Sequence, residues 1–183
     1  DNYLMNVGYI GEMLDLYLVS KNIGTLWFGI GKPEEKEYNG LTFIIMILIS
    51  KVDGSEKFRK DMFKSKRKSL EEIWKGKQIQ GVSDIVRFAP SACNSQPWYV
   101  EREENILKIY RYRKPGRVGI MPSDMVSVMN RIDMGIFIRF LELCLQHENY
   151  EFSRELFVDE GSDKEFTINA QYAYLEQNGY EMI

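Results

Sequence analysis

Residues 89–98 read Ala89-Pro90-Ser91-Ala92-Cys93-Asn94-Ser95-Gln96-Pro97-Trp98, the most specific string in the chain. Pro90 and Pro97 each fix φ and withhold a backbone N–H, so the segment ends a helix and passes through a rigid turn before Trp98 anchors the start of a strand. On that turn the short polar side chains of Ser91, Asn94 and Gln96 stand beside freed backbone N–H groups. This donor and acceptor set suits a planar, polar heterocycle. The same residues also suit a structural turn, capped by Asn and Ser over a core Trp.

Outward from the turn, helices alternate with strands. Upstream, 82–88 is predicted as a helix, and Ser69-Leu70-Glu71-Glu72 has capping-box spacing for a short one. Downstream, 99–101 and 106–110 read as a strand pair turning at Glu104-Asn105. Next come a basic, Gly/Pro-broken loop over 111–122, a long apolar helix over 130–146 and a last strand over 167–175. Toward the N-terminus, Val7, Ile10, Met13, Leu14, Leu16, Tyr17 and Leu18 recur at helical spacing and predict a largely buried helix over 7–20, stopped by Asn22 and Gly24. Residues 25–31 read as an apolar, Gly-punctuated loop of the kind that lines sites. Leu41 to Ile49 reads as a buried strand. The pattern is that of an α+β or α/β fold.

Composition narrows the functions. At 183 residues, with 44% hydrophobic and 28% charged, the chain has the size and balance of one globular domain. Its net charge of −3 offers no basic footprint for phosphate neutralisation, so nucleic acid is not expected as a partner. Within that acidic balance, 57–68 carries seven basic residues against one acidic and reads as a solvated linker or helix face, with phosphate or partner binding as the alternative. Cys93, Cys144 and His147 exhaust the cysteines and histidines, too few for a Cys/His zinc cage, and no Ser-His-Asp signature surrounds His147. Cys93, with no adjacent His or Lys to depress its pKa, reads as a small packed residue rather than a nucleophile. The longest apolar run, 41–49, is about half of the ~20 residues a membrane helix needs, and no secretory signal is seen; a cytoplasmic protein is expected. The chain opens on Asp1-Asn2-Tyr3 and not on Met, which suggests missing residues ahead of it.

Sliding the chain on itself by 127 positions pairs Gly8 with Gly135, Leu14 with Leu141, Asp15 with Glu142, Leu16 with Leu143, Leu18 with Leu145 and Asn22 with Asn149. In each copy a long helix is followed by a strand candidate, as expected of two related halves or of two amphipathic helices sharing a period.

The 89–98 string closely resembles the signature of the nitroreductase superfamily of FMN enzymes, in which an APSxxNxQPW segment contacts the flavin. Gly24-Thr25-Leu26-Trp27-Phe28-Gly29 is similar to a family stretch that runs beside the isoalloxazine ring, and Arg131-Ile132-Asp133-Met134-Gly135-Ile136 is similar to a family helix start. The order of these segments resembles the subgroup built from two related halves. The resemblance implies an α+β fold with a central, mostly antiparallel sheet flanked by helices. It also implies that Pro90, Ser91, Ala92 and Asn94 touch FMN with Gln96 supporting the loop, and that Thr25, Trp27, Gly29 and Ile30 lie near the ring. The family's opening Arg-Ser-x-Arg stretch, which holds the FMN phosphate, is not seen; Arg67, Lys68, Arg87 and Arg131 are the candidates for that role.

The activity implied by the resemblance is that of an oxidoreductase passing electrons from NAD(P)H through FMN to a nitroaromatic, quinone or similar acceptor in ping-pong fashion. Backbone groups from Trp27 to Ile30 would serve the flavin N5, and Trp27, Phe28 and Trp98 would wall the pocket or else simply pack in the core. No side chain is assigned as general acid or base. A homodimer with FMN at its interface is expected, with a monomer that mimics the dimer as the alternative. A flavin binder without turnover and a non-flavin interaction module are the rival readings.

Overall fold

The computed structural model describes residues 2–35, 37–58, 66–113, 116 and 118–176. In chain order it contains α1 (Tyr3–Ser20), β1 (Ile23–Phe28), β2 (Glu37–Tyr38), β3 (Leu41–Thr42), β4 (Met46–Lys51), α2 (Leu70–Ile73), β5 (Trp74–Lys75), α3 (Ser83–Val86), β6 (Trp98–Glu103), β7 (Ile106–Tyr112), α4 (Ser123–His147), β8 (Tyr150–Leu156) and β9 (Phe166–Glu176). The fold is α+β. Five strands form the main sheet in the order β5-β6-β7-β9-β8, parallel only between β5 and β6.

Period-two alternation sets the sheet's inner face: Trp98, Val100, Leu107, Ile109, Ala170 and Tyr172 are all buried, while most of their strand neighbours are less so. Helix α4 supplies the other half of that core, with Phe137 stacked on Trp98 at a centroid distance of 4.8 Å. Trp98 thus belongs to the core. The short helix α2 starts as its capping box predicts, Ser69 N–H donating to Glu72 Oε2 at 2.8 Å.

Helices α1 and α4 pack on each other through the two glycines that the 127-residue shift aligns. A Cβ on Gly8 would collide with the carbonyl oxygen of Ile132, and a Cβ on Gly135 with that of Met5. Each clash is the image of the other under the same shift, so the two helices cross about a local two-fold axis. The likeness continues past the helices. Asn22 and Asn149 both take left-handed φ, 58° and 59°, and their N–H groups close the helices onto Val19 and Gln146. The strands β1 and β8 begin directly after them. Two matched helix–Asn–strand units therefore meet through their helices.

Three expectations need correction. Helix α1 is not largely buried: Leu4, Met5, Gly8 and Glu12 are covered, but Ile10, Met13, Leu14 and Tyr17 face outward because α4 and β1 pack on one side of it only. Residues 25–31 are not a loop throughout, since Ile23–Phe28 pairs antiparallel with β4, Trp27 opposite Ile47 and Phe28 opposite Met46. The run 41–49 is not one buried strand: it divides into β3 and the first part of β4, and Leu41 and Ile49 are exposed because, among the described residues, no second layer covers them. Strand β8 was not expected. Residues 59–65 of the basic stretch, together with 114, 115 and 117 of the basic loop, lie outside the described residues.

Candidate functional site

Where β1 ends, Trp27, Phe28, Gly29 and Ile30 face the turn Pro90-Ser91-Ala92-Cys93 across a cavity of ≈ 280 Å³. That is near the lower end of the ~300–1,000 Å³ usual for small-molecule sites. Met125, Met129, Ile132 and Ile136 of α4 form one wall, and Ile120 to Pro122 close a rim. The walls are apolar apart from the turn and the carboxyl of Asp133. Among the described residues, no lysine or arginine lines the cavity.

The turn itself is held from two sides. Cys93, Asn94 and Gln96 all sit at left-handed φ, 50°, 54° and 47°, a conformation that persists when surrounding bonds over-determine it. From the outside, 66–68 straps it down: Arg67 donates to Asn94 Oδ1, Asn94 Nδ2 donates to Lys66 O at 2.6 Å, and the Lys68 N–H donates to Gln96 Oε1 at 2.7 Å. From the inside, Asp133 on α4 accepts the Ala92 N–H at 3.0 Å and the Ser95 hydroxyl at 3.1 Å. The Gln96 N–H donates to Ser91 Oγ at 3.0 Å, so the Ser91 hydroxyl keeps its own proton to donate.

Burial pushes the Asp133 carboxyl up to about 7, against the pull of the Ala92 N–H and the Ser95 hydroxyl. An acidic pair, Glu12 and Asp15, lies behind Trp27. Its indole N–H donates to Asp15 Oδ2 at 3.0 Å, and the Thr25 hydroxyl also donates to Asp15. Burial, reinforced by the charge of Asp15, pushes Glu12 up to about 8, with Trp27 pulling the other way.

Of the residues expected at the site, Pro90, Ser91, Ala92, Trp27, Gly29 and Ile30 line the cavity, with Phe28 beside them. Asn94 and Gln96 lie behind the turn on the 66–68 strap, and Thr25 points to Asp15. Cys93 is exposed and lines the cavity, so it is not the packed residue expected. Arg67 and Lys68 border the turn, whereas Arg131 reaches Ser127 O and Asp159 O. Arg87 lies over the Phe88 ring. Of the lining residues of α4, Ile132, Asp133 and Ile136 fall in the segment similar to a family helix start, whereas Met125 and Met129, like Ile45, carry no motif.

The turn, the β1 end and the α4 wall form one site in an α+β frame, the arrangement to which the two sequence segments pointed. The chain belongs to the family described as "Putative TM nitroreductase", whose model matches residues 1–144, and so to the nitroreductase superfamily. The crystal structure of a "putative nitroreductase" from Thermotoga maritima has the same fold, with a TM-score of 0.58 at 17% identity over 94% of this chain. The chain spans 64% of that protein's length. No curated protein matches the sequence.

Proposed function

We propose that this protein binds FMN in the cavity between the 90–93 turn and the Trp27–Ile30 segment, and that it passes electrons from NAD(P)H to a nitroaromatic, quinone or similar small acceptor by a ping-pong mechanism. One observation carries the reading: two segments far apart in sequence, each resembling a flavin-contacting stretch, close on the same apolar cavity.

The donor set fits the ring of the cofactor. Trp27, Phe28, Met129 and Ile136 offer apolar walls to a tricyclic body, and the Ser91 hydroxyl and the turn's backbone offer a polar edge. When bound, FMN supplies hydride acceptance and electron release. The protein's part is to orient the ring, exclude water with α4 and the 120–122 rim, and keep charge near the ring under control through Asp133. With no cation in the described lining, the phosphate falls to groups beyond it, Arg67 and Lys68 being those that border the turn.

Two results test this. Titrating FMN-free protein with FMN should quench flavin fluorescence to saturation, and an unquenched titration removes the reading. Asn94→Ala cuts the two ties that Asn94 makes to the strap and leaves those of Gln96, and loss of such bonds should weaken FMN by about tenfold. Unchanged affinity takes Asn94 out of the set that holds the cofactor. We further propose a homodimer: Ile10, Tyr17, Leu26 and Ile49 are each more than half exposed on α1 and the β1–β4 ribbon, an apolar face of the kind that marks an interface. Sedimentation should give two copies, and a monomer at micromolar concentration contradicts it.

A further inference from the structure

Asp133 is 2% exposed, lies on α4 and lines the cavity. Each of its oxygens has one job. Oδ1 takes the Ala92 N–H and Oδ2 the Ser95 hydroxyl, two residues that bracket left-handed Cys93 and Asn94. The strap at 66–68 holds the same turn by Asn94 and Gln96, neither of which lines the cavity. Asp133 is thus what fixes the turn relative to the α4 wall.

We propose that Asp133 is a positioning residue of the cavity: by clamping Ala92 and Ser95 to α4 it holds the turn in the conformation that an isoalloxazine ring meets. The proposal rests on the flavin reading given above. An ionised carboxylate accepts from both donors at once, whereas a protonated one has turned one oxygen into a donor, so the clamp has two states. Burial places the change between them at about 7. Among the described residues, the titratable and charged groups near it are Cys93, which shares the cavity lining, Arg131, two residues before it on α4 and bonded to Ser127 O and Asp159 O, and Arg67 and Lys68, which bond to Asn94 and Gln96 of the turn.

The test compares Asp133→Ala and Asp133→Asn with the wild-type full chain by two readouts. One is hydrogen exchange at the Ala92 amide in FMN-free protein; the other is FMN affinity from about pH 5.5 to about 8.5, spanning the titration. In Asp133→Ala the Ala92 amide should lose protection and FMN should bind about tenfold or more weakly, since a charge-assisted pair of bonds is gone. Asp133→Asn keeps an acceptor for Ala92 and a donor for Ser95, the pattern of the protonated carboxyl, so it should restore protection at Ala92 and hold at every pH the affinity that wild type shows at the acid end of the range. Wild-type affinity in Asp133→Ala, or a wild-type pH profile in Asp133→Asn, would overturn the proposal. Should Asp133→Ala not fold, Ser95→Ala takes its place, with weaker FMN binding expected and unchanged affinity counting against. If wild-type protein takes up no FMN, the flavin reading fails by itself; Ala92 exchange in the ligand-free variants then decides the clamp, lost protection supporting it and unchanged protection overturning it.

Discussion

Gly8→Ala and Gly135→Ala should each lower folding stability by about 3 kcal/mol or more, at the upper end of overpacking effects because the obstacle is backbone and cannot rotate away. The colliding atoms are the carbonyl oxygens of Ile132 and Met5, and the backbone nitrogens of Ile136 and Tyr9 stand close behind, at 3.1 and 2.7 Å from the added carbon. Relief requires α1 and α4 to separate along their contact, which uncovers Leu4, Met5, Ile132 and Ile136. For a chain of this length the melting midpoint should fall by roughly 6–12 °C. Gly29→Ala is the control, since its added carbon would meet only Met129, at an ordinary 3.7 Å. Equal midpoints for Gly8→Ala and wild type would mean that the two helices do not cross as described.

The second large effect is expected at Asp159. It is 2% exposed and accepts from Arg111 Nε at 2.5 Å and Nη2 at 3.0 Å, from Asn169 Nδ2 at 3.0 Å and from the Gly161 N–H at 2.8 Å. Arg111 is wholly buried in β7. Asp159→Ala therefore leaves a buried guanidinium without its counter-charge, a loss of about 3–5 kcal/mol. Burial raises the Asp159 carboxyl, but the bonds from Arg111, Asn169 and Gly161 outweigh it and hold it below its ordinary 3.8. Stability from this site is thus full above that value and lost as pH falls through the lower folded one. Chemical denaturation of Asp159→Asn should show a lower plateau and a flatter acid limb than wild type; an unchanged plateau would show the pair to be dispensable.

The halves of this fold were unequally legible. Helix α4 stood out over 130–146 by its apolar period, although it begins seven residues earlier at Ser123, and β6, β7 and β9 by their alternating or β-branched and aromatic residues between turn signals. Strand β1 did not, because Gly24 within it and Gly29 and Gly31 just past its end give 24–31 the punctuation of a loop, although Ile23–Phe28 is fully paired. Strand β8, Tyr150–Leu156, lies at a sheet edge and carries Glu151, Ser153, Arg154 and Glu155 among its apolar residues. The helical period of α1 was visible, but a period says which residues share a face and not what covers that face. For the site, the two segments resembling flavin-contacting stretches found the cavity. Gln96 supports the loop, as the resemblance implied, but its partner Lys68, like the partners of Asn94 at 66 and 67, lies in a segment some distance upstream that no local pattern reveals. The acid of α4 could be seen in sequence, but its partners Ala92 and Ser95 could not.

The most direct test of the flavin account is the visible spectrum of the full-length protein, purified and supplied with FMN, before and after anaerobic addition of NAD(P)H. The account predicts the absorption of bound oxidised flavin, bleached by the nicotinamide and restored by a nitroaromatic or quinone. A colourless protein that takes up no FMN would contradict it, leaving the fold of the family without its cofactor.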